Sequence, residues 1–308
     1  MFKLGQFLVA NTMRSGMVAL ACALLPWPFS LLAVVLVGFL SLAVSLRPGA
    51  YMLAWLFLPA MASTWKAPDD AIAYDMVFIC GVLTFLYAAV IRYFRNWSRL
   101  LEAMLLIGLG YEAVLHLLPN AWLTQATDFL TKLVMANLIA NLPHEAASIK
   151  AMVTAMSPYL LGGLYSVFAF LSMLSLMLAR AWHLQVTMPM EGRKEFYFMR
   201  MPRLLGLVAA ILMICHYEWS SAWMVVVTQL FMLPFMFAGM SLYAYGLRGL
   251  SLRASTWRWV FLALSMVLML LYARYFVLGL AAIGFADSLI NFRKLQLLRF
   301  KRIKRASS

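Results

Sequence analysis

Five ionisable side chains in or beside apolar segments are the groups best placed for chemistry in this chain. Glu112 and His116 stand four residues apart in the apolar segment 100–118, so they share one face of a helix. His216, Glu218 and Arg274 border later apolar segments and are predicted to lie toward the same side. Ionisable groups inside a bilayer are costly and are therefore functional candidates. We interpret the five as a proton-linked or substrate-binding cluster. The alternative is that they lie near the interface and reach water or lipid headgroups.

A sixth ionisable group, Asp287, is the only acid in the last apolar stretch, 257–291. It lies four residues before Asn291 and close to basic residues. We predict that Asp287 forms a structural ion pair with Arg293, with Arg248 and Arg258 as alternative partners, rather than contacting an ion or a substrate.

Motifs for enzymatic or metal chemistry are not convincing. His144 and Glu145 begin like the zinc motif H-E-x-x-H, but Ser148 occupies the place of the second histidine. We therefore predict no enzymatic activity, no metal and no cofactor. Three cysteines in apolar segments are expected to be free thiols, namely Cys22, Cys80 and Cys215.

The elements that carry these residues are predicted to be membrane helices. The chain has 308 residues, of which 65% are hydrophobic and 12% charged, with a net charge of +14. Its basic residues fall in short clusters between long apolar stretches, a layout typical of multi-pass membrane proteins. We predict an all-α, polytopic transmembrane helical bundle with about 8–10 membrane segments in a single integral membrane domain, residues 1–308.

The distribution of basic residues predicts the topology. As one helix, 257–291 would be roughly 50 Å long, which exceeds the ~30 Å hydrocarbon core. As a hairpin turning near Arg274, it leaves nearly all of the 25 Lys and Arg residues on one side; the exceptions are Lys66, Lys132, Lys150 and Arg274. The positive-inside rule therefore favours the hairpin and places both termini in the cytoplasm.

Two segments are predicted to lie at the membrane surface. Residues 121–155 have apolar and polar side chains on different helical faces, which indicates an amphipathic interfacial segment. Residues 293–308 form a basic cytoplasmic tail whose expected partner is anionic lipid. Basic residues could also bind RNA through its phosphates, but we do not expect a nucleic-acid partner.

Three short stretches together resemble the YybS-like family of bacterial multi-pass membrane proteins. They are Met13-Arg14-Ser15-Gly16 followed by Leu25-Pro26, then Leu46-Arg47-Pro48-Gly49, and finally the ending from Gly284 to Lys294. That family is similar in hydropathy to the substrate-capture subunits of energy-coupling-factor vitamin transporters. The resemblance implies a bacterial inner-membrane location and a role in transport.

Small residues recur every four positions in the short apolar segment 15–25, at Ser15, Ala19 and Ala23. This spacing lets two helices approach closely. It resembles the alanine ladder with which vitamin-capture subunits contact a partner membrane subunit, whereas ordinary packing within the chain is the alternative. The leading function is therefore small-molecule transport or substrate capture, and the rival is a non-catalytic assembly protein that binds another membrane subunit.

Overall fold

Most of the residues that the structure describes lie in α-helices, which short turns and loops connect. A computed structural model describes residues 2–26, 28–66, 68–118, 146–156, 159–187, 199–218, 222–249 and 273–294, with short helical pieces between 124 and 135. The helices are α1 Phe2–Ala10, α2 Thr12–Ala23, α3 Leu31–Ala43, α4 Leu46–Lys66, α5 Pro68–Phe94, α6 Trp97–Leu117, α7 Ala146–Met156, α8 Leu160–Thr187, α9 Arg203–Glu218, α10 Ala222–Gly249 and α11 Ala273–Ile290. No strand occurs in these residues, which confirms the predicted all-α class.

Four of the described helices are long and apolar enough to cross a membrane. Their membrane-length stretches are Tyr74–Phe94, Trp97–Leu117, Leu160–Val186 and Met224–Gly246. Shorter apolar helices accompany them, including Leu31–Ala43 and Tyr275–Ile290. Several apolar helices of this kind are compatible with a multi-pass membrane protein. The total of 8–10 segments and the cytoplasmic termini stay predictions.

Parts of three predicted segments lie outside the described residues. Segment 121–155 is helical in its short pieces and in α7, but its remainder is not described. The first arm of the predicted final hairpin, 257–272, also lies outside the described residues, whereas α11 forms the second arm. Of the basic tail, only residues 293 and 294 are described.

The helices group into two compact units. Unit 1 comprises Met1–Met104 and Val167–Met199, and unit 2 comprises Leu105–Ser166 and Arg200–Ser308. The boundaries fall within α6 and α8, so both of these helices contribute to each unit.

Helix α3 is the core of unit 1. Its ten consecutive residues from Ala33 to Leu42 are all buried, as expected for a helix that is apolar on every side. Gly38 lies against Ala179, and the ring of Phe39 stacks on Trp182 at a centroid distance of 4.5 Å. Its 13 residues span about 20 Å, less than a ~30 Å hydrocarbon core. Helix α3 is therefore shorter than a membrane span, and its buried residues pack against the neighbouring helices of unit 1.

The C-terminus of α3 is capped by a side chain from α5. The Arg92 guanidinium donates hydrogen bonds to the carbonyl oxygens of Ser41, Leu42 and Val44 at 2.9, 3.4 and 2.9 Å. These carbonyls have no partner within α3, because the last turn of a helix leaves its C=O groups unsatisfied. A cation there also complements the negative end of the helix dipole. Arg92 thus fixes the end of α3 against α5.

The small-residue face of α2 is buried within the chain. Ser15, Ala19 and Ala23 are exposed by only 0%, 0% and 1%, and α2 packs against α3 and α4. The Ser15 hydroxyl donates to the carbonyl oxygen of Leu8 at 2.5 Å. The chain's own helices thus pack against this face, and contact with a partner helix stays a prediction.

Unit 2 is built around a close crossing of α10 and α11. A Cβ atom at Gly239 would overlap the Leu280 carbonyl oxygen, and one at Gly284 would overlap the Phe235 carbonyl oxygen. The two glycines therefore let the helix backbones touch, as small residues do in membrane proteins. Helix α9 packs beside this pair through Gly206, which lies against Ser288.

Candidate functional site

Helix α6 places a carboxyl group inside unit 2. Glu112 lies within the membrane-length stretch Trp97–Leu117 and is only 6% exposed. Its Oε1 atom has no hydrogen-bond partner among the described residues. A buried polar atom without a partner costs free energy, and more so if it is charged. Among the acidic residues that the structure describes, Glu112 and Asp287 each have such a buried oxygen.

A glycine on α8 makes room for the Glu112 carboxyl group. A Cβ atom at Gly162 would lie 2.8 Å from Glu112 Oε1 and 2.5 Å from Val226 Cγ1 on α10. Both distances are shorter than a real Cβ contact, so only glycine lets α8 approach Glu112 and Val226 this closely. Helix α8 thus encloses the carboxyl group on this side, and α10 packs against the same glycine.

Two tyrosines join α6 to α8 beside the carboxyl group. The rings of Tyr111 and Tyr165 are stacked, with centroids 5.7 Å apart and planes 25° apart. The Tyr111 hydroxyl donates to the Leu161 carbonyl oxygen at 3.1 Å, one residue before Gly162. These contacts hold the two helices in register and fix the position of Glu112.

His116 lies one helical turn further along the same face and is exposed. It interacts electrostatically with the Glu112 carboxyl group. Imidazole is the side chain whose ordinary pKa lies nearest to neutral pH, so it exchanges protons readily. The pair places a buried acid one turn from an exposed imidazole, close to the end of α6 at Leu117.

The other predicted members of the cluster are not shown to join this pair. Glu218 is the last residue of α9 and is exposed, and no described contact brings it to Glu112. His216 lies in α9 and Arg274 in α11, but their side chains lie outside the described part of the structure. Of the five predicted residues, the structure therefore brings together Glu112 and His116.

A second polar centre lies at the end of α11, where Asp287 is fully buried. Its Oδ2 atom is 3.3 Å from Arg293 Nη2 and 3.9 Å from Arg200 Nε. Arg200 also donates to the carbonyl oxygens of Asp287 and Ser288, both at 2.9 Å. The structure thus places the predicted partners Asp287 and Arg293 side by side and adds a second guanidinium.

A turn after α11 brings Arg293 back to Asp287. Asn291 has a φ of 57°, the left-handed conformation that ends many helices and that asparagine tolerates. The next residue, Phe292, donates its N–H to Asp287 Oδ1 at 3.0 Å. Burial lowers the pKa of the Arg293 guanidinium, whereas the Asp287 carboxylate beside it raises that pKa.

Sequence reasoning missed Arg200 and the tyrosines. Arg200 lies 87 residues from Asp287 in the sequence, within a loop that contains several basic residues, so the sequence did not indicate this partner. No sequence pattern distinguished Tyr111 and Tyr165 from the other tyrosines of the chain. The Gly162-Gly163 pair is only a weak packing or kink signal in the sequence, and the structure was needed to show that Gly162 lies against Glu112.

The described residues contain no group of three or more His, Cys, Asp or Glu side chains that could hold a metal ion. Comparisons with protein-family models, with curated proteins and with solved structures find no match. The resemblance to the YybS-like family therefore rests on the three sequence stretches that carry it.

Proposed function

We propose that this chain is a multi-pass membrane protein that transports or captures a small molecule, and that Glu112 takes up and releases a proton as it works. The observation that carries this proposal is the buried, unpartnered Oε1 atom of Glu112 within a membrane-length helix. Ionisable residues in such positions mark ion or proton pathways in membrane proteins.

The surroundings of Glu112 favour a proton over a larger ligand at this position. Gly162 lies against the carboxyl group and Val226 lies against Gly162, so only a very small species fits beside Oε1 on this side. Protonation turns an acceptor-only carboxylate into a neutral acid and removes the cost of a buried charge. His116, exposed one turn away, supports exchange of this proton with water.

The rival function, assembly with another membrane subunit, lacks a comparable observation. Its main support in the sequence was the face formed by Ser15, Ala19 and Ala23, which is buried by the chain's own helices. Transport is therefore the function that the described residues support better.

The test is charge movement by the purified full chain in liposomes adsorbed on a solid-supported membrane. Amino acids, sugars, nucleosides, organic cations and organic anions are applied in turn with a pH difference across the liposome membrane. One class is expected to give a transient current with the wild-type chain. The current is expected to be lost in Glu112→Gln, which keeps the side-chain size but cannot exchange a proton.

The matched control is Glu102→Gln. Glu102 lies on the same helix, but its side chain is 20% exposed and paired with Arg99 at 2.7 Å. This variant is expected to keep the wild-type current. Currents equal to those of protein-free liposomes for every solute class would contradict the proposal, as would a Glu112→Gln chain as active as the wild type.

A further inference from the structure

Unit 1 contains an apolar cleft that the transport proposal does not use. It has a volume of about 500 Å³ and lies among α1, α2, α3 and the C-terminal part of α8. The residues that line it include Leu8, Val18, Cys22, Leu36, Leu178 and Trp182. This volume is in the range of ligand sites, roughly 300–1,000 Å³.

The end of the cleft nearest α1 carries polar groups. Gln185 lines the cleft, and the neighbouring residues Trp182 and Val186 lie against Gly5 of α1. Arg14 stands four residues before Val18, so it extends the face of α2 that lines the cleft.

The guanidinium of Arg14 lies on the α1 side of this face. Its central carbon is 5.6 Å from the ring centroid of Phe7, the residue before Leu8, and Arg14 is exposed. An exposed cation therefore lies beside the residue that precedes Leu8 and one helical turn from Val18, and Leu8 and Val18 both line the cleft.

The side of the cleft is open. Leu32 and Leu178 both line it, yet they remain 49% and 61% exposed. Large apolar side chains that are exposed on a membrane protein face lipid chains. An apolar space is not filled stably by water, because water needs polar partners there. An acyl chain entering from the side would cover these surfaces.

We propose that this cleft is a binding site for one anionic phospholipid. Its acyl chain lies along Val18, Leu36 and Leu178, and its phosphate lies at Arg14 near the Gln185 end. The charge of Arg14 selects an anionic over a zwitterionic headgroup, since a basic residue attracts anionic lipid at the membrane surface. The cleft belongs to unit 1 and Glu112 to unit 2, so the lipid proposal can be tested independently of the proton proposal for Glu112.

The test is native mass spectrometry of the full chain, delipidated in detergent and titrated with phosphatidylglycerol or phosphatidylcholine. The wild-type chain is expected to retain one phosphatidylglycerol more tightly than phosphatidylcholine. Arg14→Gln is expected to weaken phosphatidylglycerol about fivefold, with phosphatidylcholine unchanged. Val18→Phe and the milder Ala181→Leu fill the cleft and are expected to abolish retention.

Val167→Phe is the matched control, because Val167 is 49% exposed in unit 1 and does not line the cleft. It should retain lipid like the wild type, and melting temperatures in detergent show whether each variant is folded. The proposal is overturned if no lipid is retained, or if folded Ala181→Leu retains as much as Val167→Phe. It is also overturned if Arg14→Gln keeps the wild-type preference for phosphatidylglycerol.

Discussion

Replacing Asp287 with asparagine is expected to destabilise the folded chain by about 3–5 kcal/mol, because it leaves a buried arginine without its counter-charge. The Arg293 side chain is only 7% exposed and lies 3.3 Å from the Asp287 carboxylate. Asparagine keeps the size of the side chain and an oxygen that can accept from Phe292 N–H, so the substitution removes chiefly the charge. Arg200 is less affected, since it is 23% exposed and also bonded to two carbonyl oxygens.

The ion pair is isolated by a double-mutant cycle with Arg293→Met, which keeps an apolar chain of similar width without the charge. The Asp287→Asn/Arg293→Met chain is expected to be more stable than the sum of the single losses predicts, by at least about 1.5 kcal/mol. The free energy of unfolding is measured by circular dichroism during titration of mixed micelles with sodium dodecyl sulfate.

Arg99→Gln serves as the control for losing a guanidinium from an ion pair. Arg99 is 59% exposed and pairs with Glu102 within one turn of α6. Exposed pairs of this kind contribute roughly 0.5 kcal/mol, so its loss should be small. The ion pair is not structural if Asp287→Asn lowers the free energy of unfolding by no more than Arg99→Gln does. The same follows if the losses of the two single variants simply add in the double variant.

Two further substitutions test the packing of each unit, both by unfolding in the same mixed micelles. In unit 2, Gly284→Ala is expected to cost about 1–3 kcal/mol, because the new methyl group would overlap the Phe235 carbonyl oxygen. Gly279→Ala on the same helix meets nothing within 4 Å and should cost nothing, so equal losses would refute the close crossing. In unit 1, Arg92→Met is expected to cost about 1.5–3 kcal/mol, because it removes charge-assisted bonds to the end of α3; an unchanged stability would show that this cap contributes nothing.

Helical class and the longest apolar helices could be predicted from the sequence because they depend on local composition. The residues at which α3 begins and ends could not be predicted in this way. In the sequence the apolar run 29–46 continues up to Arg47-Pro48, but α3 ends at Ala43 and α4 begins at Leu46. Proline is tolerated in the first turn of a helix, where its missing N–H is not needed. Pro48 is therefore compatible with a helix start as well as with a helix end.

The polar sites were predictable only where their members are close in sequence. Glu112 and His116 share a helix, and Asp287 and Arg293 flank one turn, so spacing alone suggested both pairs. Gly162 and Arg200 come from other helices and loops, and their contacts depend on tertiary packing.

The small residues Ser15, Ala19 and Ala23 illustrate the same limit. Their spacing predicts that another helix approaches α2 closely, but it does not say whether that helix belongs to the same chain. The structure places them against the chain's own helices, with Ala19 and Ser15 wholly buried.

The protonation of Glu112 can be measured by infrared difference spectroscopy on the full chain in lipid bilayers, between acid and alkaline pH. If Glu112 takes up a proton inside the membrane, the wild-type chain gives a carboxylic-acid C=O band typical of an apolar environment. That band should be absent in Glu112→Gln and present in Glu102→Gln. A wild-type spectrum without such a band, or a band that persists in Glu112→Gln, would show that Glu112 does not carry the proton.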